Sequence, residues 1–65
     1  MMIVNGKEFY LEKDMTLEEF LIEAQFSVKQ VAVERNGDIV PKSEFQSVQL
    51  KQEDHLEVVS FVGGG

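Results

Sequence analysis

Alternation of apolar and polar positions opens the chain. In "IVNGKEFYL" two short extended runs flank Asn5-Gly6. A type I′ hairpin turn needs positive φ at both central residues, and Asn-Gly supplies it. Phe9 and Leu11 fall on one face of the second run, with Glu8, Tyr10 and Glu12 on the other. The pattern predicts a β-hairpin over residues 2–5 and 7–12. The spacing then changes to a helical one. In "DMTLEEFLIEAQF", Leu17, Phe20, Leu21 and Ala24 lie at i, i+3, i+4 and i+7, one apolar stripe. Thr16 can cap that stripe, and Glu19 three positions on completes a capping box. Glu18 and Glu19 also suit the positive end of the helix dipole. A helix over 17–26 follows.

Alternation returns in "VAVERNGDIVP", where Val31 and Val33 share a face and Glu34 points away. Asn36-Gly37 makes a second hairpin turn, Ile39-Val40 returns, and Pro41 ends that strand because it cannot donate to a ladder. In "KSEFQSVQL" Ser43 is placed to cap a short helical turn, and Phe45 reads as a core plug. "KQEDH" reads as a polar turn. The last strand is "HLEVVSFV": Leu56, Val58, Ser60 and Val62 form one phase, and Glu57, Val59 and Phe61 the other. Glu57 should face water, so the even phase faces the core.

The order is hairpin, helix, hairpin, short turn, final strand. One helix following a hairpin buries its stripe only by lying across a sheet. The expected class is α+β: a mixed sheet of four to five strands grasping one main helix in ββαββ order, the β-grasp (ubiquitin-like) architecture. The final strand, rich in β-branched residues, suits a central place beside the first strand. The β-grasp domain should take residues 1–62, and Gly63, Gly64 and Gly65 a flexible tail.

Composition narrows the function. Sixty-five residues make one domain. Twelve acids against six bases give a net charge of −6, which argues against nucleic acid, since phosphate binding needs a basic stripe. With no cysteine there is neither a disulfide nor a thiol nucleophile. The apolar runs are too short for a membrane span, and "MMIVNGKEFY" does not read as a signal peptide. A soluble, cytoplasmic protein that uses no membrane is the expectation. No catalytic constellation is encoded. His55 stands alone at a strand start and reads as solvated, and Ser60 lacks the glycines of a nucleophile elbow. The acid pairs Glu18-Glu19 and Glu53-Asp54 give no convergent metal site, so neither a metal nor a bound cofactor is expected, and the protein is not read as an enzyme.

The tail is the feature left over. Three glycines carry no side chains, so the segment can thread a channel closed to any other residue and bring the Gly65 carboxylate against a nucleotide held by another protein. Adenylation would turn that carboxylate into a mixed anhydride open to a sulfur or amine nucleophile. A frayed terminus or an expression remnant is the competing reading of the glycines alone. Their direct attachment to the final strand of the expected β-grasp favours the working tail. Val59 and Phe61, left outside by the strand phase, are the candidate docking patch for a partner.

"VNGKEF", "MTLEEFL", "VAVERNGDIVPKSEF" and "LEVVSFVGGG" together resemble the ThiS family, the bacterial sulfur carriers of thiamine biosynthesis, over essentially the whole chain. The resemblance implies the following chemistry. A ThiF-like adenylyltransferase uses ATP on the Gly65 carboxylate. A persulfide sulfur, from a cysteine desulfurase-type donor, displaces AMP to give a thiocarboxylate. A ThiG-like thiazole synthase then receives the sulfur. The chain is a protein cosubstrate in this scheme. Two departures touch turn and packing: "QED", Gln52 to Asp54, stands where members often have an Asp-Gly-Asp-type turn, and Phe45 where tryptophan is common. Three alternatives share the fold: a molybdopterin-synthase-type sulfur carrier, a ubiquitin-like modifier that ends on a target lysine, and an interaction module with an inert tail.

Overall fold

Two Asn-Gly pairs set the frame. In the computed structural model, which describes residues 1–61, Asn5 and Gly6 have φ of 52° and 81°, and Asn36 and Gly37 have 52° and 90°. Each pair closes a two-residue hairpin. The first joins β1 (Met2–Val4) to β2 (Lys7–Phe9) with Val4 opposite Lys7. The second joins β3 (Val31–Arg35) to β4 (Asp38–Val40) with Arg35 opposite Asp38. Between them lies α1 (Leu17–Glu23), and β5 (His55–Ser60) follows. The strand order is β2-β1-β5-β3-β4. β5 runs parallel to β1 and antiparallel to β3, so the last strand is central and adjoins the first. This is the mixed β-grasp sheet expected from the order of elements.

The helix begins as the capping box predicts. Thr16 Oγ1 accepts from the Glu19 amide at 3.1 Å, and Glu19 Oε1 accepts from the Thr16 amide at 2.8 Å. The remaining first-turn donors are met by the 41–50 loop: Leu17 N–H reaches the Val48 carbonyl at 2.8 Å and Glu18 N–H the Phe45 carbonyl at 2.9 Å. Docking that loop on the helix start seats Phe45, 1% exposed, as a core plug. Leu17, Phe20 and Leu21 face Met2, Val4, Val31, Val33, Leu56 and Val58 on the inner sheet face. Each such fully buried side chain contributes about 1.5–3 kcal/mol. The Phe9 and Phe20 rings meet edge-on at 5.6 Å, tying β2 to the helix.

Several details differ from the sequence reading. The helix stops at Glu23, three residues early, because Gln25 takes a positive φ of 68°. The Phe26 amide then bonds the Leu21 carbonyl and the Gln25 amide the Ile22 carbonyl, the paired closure that normally uses glycine. β2 stops at Phe9. Leu11 is still buried, but outside the ladder, with its carbonyl taken by Gln52 Nε2. The short turn after Pro41 spans Lys42–Glu44, with Pro41 and not Ser43 at its cap. Ser60 keeps the inner phase of β5 but is exposed, since the buried core reaches only as far as Val58 on that strand. Val62, Gly63, Gly64 and Gly65, the end of the expected core phase and the tail, lie outside the described residues.

One side chain repairs the seam between β1 and β5. β1 turns away at Asn5, yet Asn5 Nδ2 donates to the Val58 carbonyl at 3.0 Å and Asn5 Oδ1 accepts from the Val58 amide at 2.7 Å. The amide thus imitates one further residue of strand. Asn5→Gly keeps the turn and removes the amide, at an expected cost of about 1–2 kcal/mol. Asn5→Ala removes the amide too and, unlike glycine, keeps a β-carbon at positive φ without the local hydrogen bonding that lets asparagine tolerate it, which adds about 1 kcal/mol. Urea unfolding should rank wild type above Gly above Ala. Equal stability of all three would contradict the bridging role.

Candidate functional site

The candidate site is the C-terminal end of β5, which precedes the glycines in the sequence. Cross-strand pairing holds that end on one side. Val59 lies opposite Ala32 and Ser60 opposite Val31. Beyond the strand, the Phe61 amide still donates to the Gln30 carbonyl at 2.8 Å. Lys42 adds a clasp. Its Nζ sits 5.1 Å from the centre of the Phe61 ring and donates to the Lys29 carbonyl. An ammonium over an aromatic face at an exposed position is worth about 0.5–1 kcal/mol. The backbone is therefore held as far as Phe61.

Val59 is 60% exposed and Phe61 46%. Both sit on the sheet face turned away from α1, as the strand phase predicts. Exposed Ala32 is opposite Val59, whereas exposed Ile39 pairs with Glu34, farther from the tail. Glu57 and Glu34 stand directly opposite each other on the same face, both exposed. Like charges in that position are mildly destabilising. The outer face is thus apolar near the tail and acidic toward the other end of β5. His55 is exposed there, as a solvated strand-start residue should be. Gly63, Gly64 and Gly65 fall beyond the described residues. An open cleft of about 380 Å³ between α1 and β2 involves Phe9, Tyr10, Met15 and Phe20, and β1 separates it from β5. Among the described residues no helix is long and apolar enough to cross a membrane.

The start of β5 is held by a residue the sequence reading left in a polar turn. Asp54 is 4% exposed. Its Oδ2 accepts from Arg35 Nε at 2.9 Å and from the Lys51 amide at 2.8 Å, and its Oδ1 from Asn36 Nδ2 at 3.0 Å. Arg35 also donates to the Gln49 carbonyl, and Asn36 Oδ1 accepts from the His55 amide. Burial pushes the Asp54 carboxyl pKa up. The Lys51 amide, the Asn36 amide and the Arg35 guanidinium outweigh burial and hold it below its ordinary value. The backbone carbonyl of Asp54 accepts from Ile3 N–H at 3.0 Å. The Asp54 carboxylate therefore locks the β3–β4 turn to the loop before β5, and the residue's backbone carbonyl ties the entry of β5 to β1. Its role is positional, and it sits at the opposite end of β5 from the tail.

With this geometry in place, the chain can be set beside known proteins. A family model described as the ThiS family matches residues 2–65, a span that runs through all three terminal glycines. The chain belongs to the ThiS family. Among relatives of this ThiS-family chain, the sulfur carrier protein ThiS of Bacillus subtilis (strain 168) is 41% identical over 66 residues, covering the whole of both chains. A thiazole synthase of Paramagnetospirillum magneticum is 44% identical over 64 residues, which are 98% of this chain and 20% of that protein. The chain thus spans about a fifth of the length of that relative. The crystal structure of the thiamine biosynthesis protein (ThiS) from Geobacter metallireducens superposes with a TM-score of 0.83 at 28% identity, covering 98% of this chain and 97% of that one.

Proposed function

We propose that this ThiS-family chain is a sulfur carrier for thiazole formation in thiamine biosynthesis, with the Gly65 carboxylate as the carrying group. The observation that carries the reading is the end-to-end alignment with the Bacillus carrier, on a β-grasp sheet whose last strand ends at Ser60, three residues before Gly63 in the sequence. The matching segment of a thiazole synthase supports sulfur delivery to an enzyme of that kind.

A carboxylate oxygen of Gly65 attacks the α-phosphate of ATP on a ThiF-like adenylyltransferase, and pyrophosphate leaves. The terminal sulfur of a persulfide, charged by a desulfurase-type donor, attacks the acyl carbon, and AMP leaves. A second thiolate on the donor side cleaves the sulfur–sulfur bond, forming a disulfide and releasing the Gly65 thiocarboxylate. That thiocarboxylate gives its sulfur to a ThiG-like thiazole synthase. The chain contributes recognition and a reactive terminus, and the ATP site belongs to the partner. Val59 and Phe61 form the apolar docking patch beside the tail.

ATP–pyrophosphate exchange tests the first step. A ThiF-like adenylyltransferase should exchange labelled pyrophosphate into ATP only when the chain is added. Absence of exchange, with the enzyme active on its own carrier, would contradict the proposal.

A further inference from the structure

Among the described residues, the end of β5 is secured on one side only. In the antiparallel pairing with β3, hydrogen-bonded positions alternate. Asn36 N–H bonds the His55 carbonyl and Phe61 N–H the Gln30 carbonyl, which places residues 55, 57, 59 and 61 on the β3 side. The backbone groups of Leu56, Val58 and Ser60 therefore point toward β1. Leu56 is met there by the Asn5 amide and Val58 by the Asn5 side chain. Ser60 comes next, and among the described residues nothing meets its N–H or its carbonyl. This short edge carries none of the usual protections. Val59 and Phe61 flank it, with no proline, bulge or charged residue at the position.

From this one-sided edge we infer that an extended segment of the adenylating partner adds to β5 beside Ser60, continuing the sheet along the line where Asn5 stops. The inference rests on the carrier reading for the identity of the partner. Reach supports that occupant. Gly65 is four residues beyond Phe61, at most roughly 14 Å of extended chain. A protein that grips the Gly65 carboxylate therefore has its surface alongside Ser60. The Lys42 clasp and the Gln30 bond already hold the strand extended, so a pairing segment meets a pre-organised edge. Backbone pairing orients the departing chain and needs no particular side chain at position 60.

Amide hydrogen exchange on the whole chain, free and with the adenylyltransferase, reads the edge directly. In the free chain the Ser60 amide should exchange fast while the Val58 amide is protected. In the complex the Ser60 amide should slow by roughly tenfold or more. Ser60→Pro removes only this donor and leaves the β3 ladder whole, so it should fold as wild type and bind the partner several-fold more weakly. A complex in which the Ser60 amide still exchanges fast, or a Ser60→Pro chain that binds like wild type, overturns the inference. So does failure to form any complex. Sulfur loading of Gly65, followed separately by mass, decides the carrier reading whichever way the edge behaves.

Discussion

One residue added after Gly65 should lower adenylation by at least about 10²-fold while leaving the fold untouched. The added residue moves the terminal carboxylate by roughly 3.3–3.6 Å along the chain. In-line attack on the α-phosphate depends on placement, and a misplacement of about 1 Å can cost 10²-fold. The former Gly65 carboxylate would also become an amide, which is no nucleophile for phosphorus. Gly64→Ala keeps the reach and adds one methyl group in the channel, so it should slow activation less severely. Chain-dependent ATP–pyrophosphate exchange measures both variants. Unchanged melting temperatures would show that the losses are local to the tail. Full exchange in both variants would remove the tail from the mechanism.

The largest expected loss of stability is at the other end of β5. Asp54→Ala should destabilise the fold by on the order of 2–4 kcal/mol, because Arg35 Nε, Asn36 Nδ2 and the Lys51 amide all lose their acceptor around a residue that is 4% exposed. For a chain of this size total stability is on the order of 3–10 kcal/mol, so a large part of it depends on one carboxylate. The melting temperature should fall by about 10 °C or more. The acid side gives a second reading. The Asp54 pKa is lower in the folded chain than its ordinary value, so folding favours the ionised form. Its contribution is fully present above roughly pH 4 and is lost as the pH falls through the depressed folded value. The stability gap between wild type and Asp54→Ala should therefore narrow in acid. A variant as stable as wild type, or a gap that stays constant through the acid limb, would contradict the locking role.

The parts of this fold that could be read from the sequence are those settled within a few residues. Asn5-Gly6 and Asn36-Gly37 accept the positive φ that a type I′ turn needs at both central positions, and both hairpins follow. Thr16 and Glu19 meet across one turn of backbone, so the helix start was visible. The phase of β5 came from one charged residue, Glu57, and it correctly placed Val59 and Phe61 outside. Features that depend on distant partners were not legible. Asp54 is separated by 19 residues from Arg35 and 18 from Asn36, and beside Glu53 it looks like any solvated turn acid. The bridging amide of Asn5 acts 53 residues away on Val58. The helix end at Gln25 was missed because no glycine marks it. At the tail base, Val59 and Phe61 were legible, while the Lys42 clasp was not, since nothing local links Lys42 to Phe61 across the strand order. A periodic signal for a clasp of this kind does not exist; an exposed aromatic beside the tail and a lysine just after Pro41 are the only traces it leaves in the sequence.

The central claim is that the carboxylate of Gly65 carries sulfur. The most direct measurement is the intact mass of the chain after incubation with a ThiF-like adenylyltransferase, ATP and a persulfide donor, followed by fragmentation to place the change. The account predicts a gain equal to one oxygen exchanged for sulfur, confined to Gly65. An unchanged mass, with the same enzyme and donor loading another carrier, would contradict it, as would an adduct joining Gly65 to a lysine in place of sulfur.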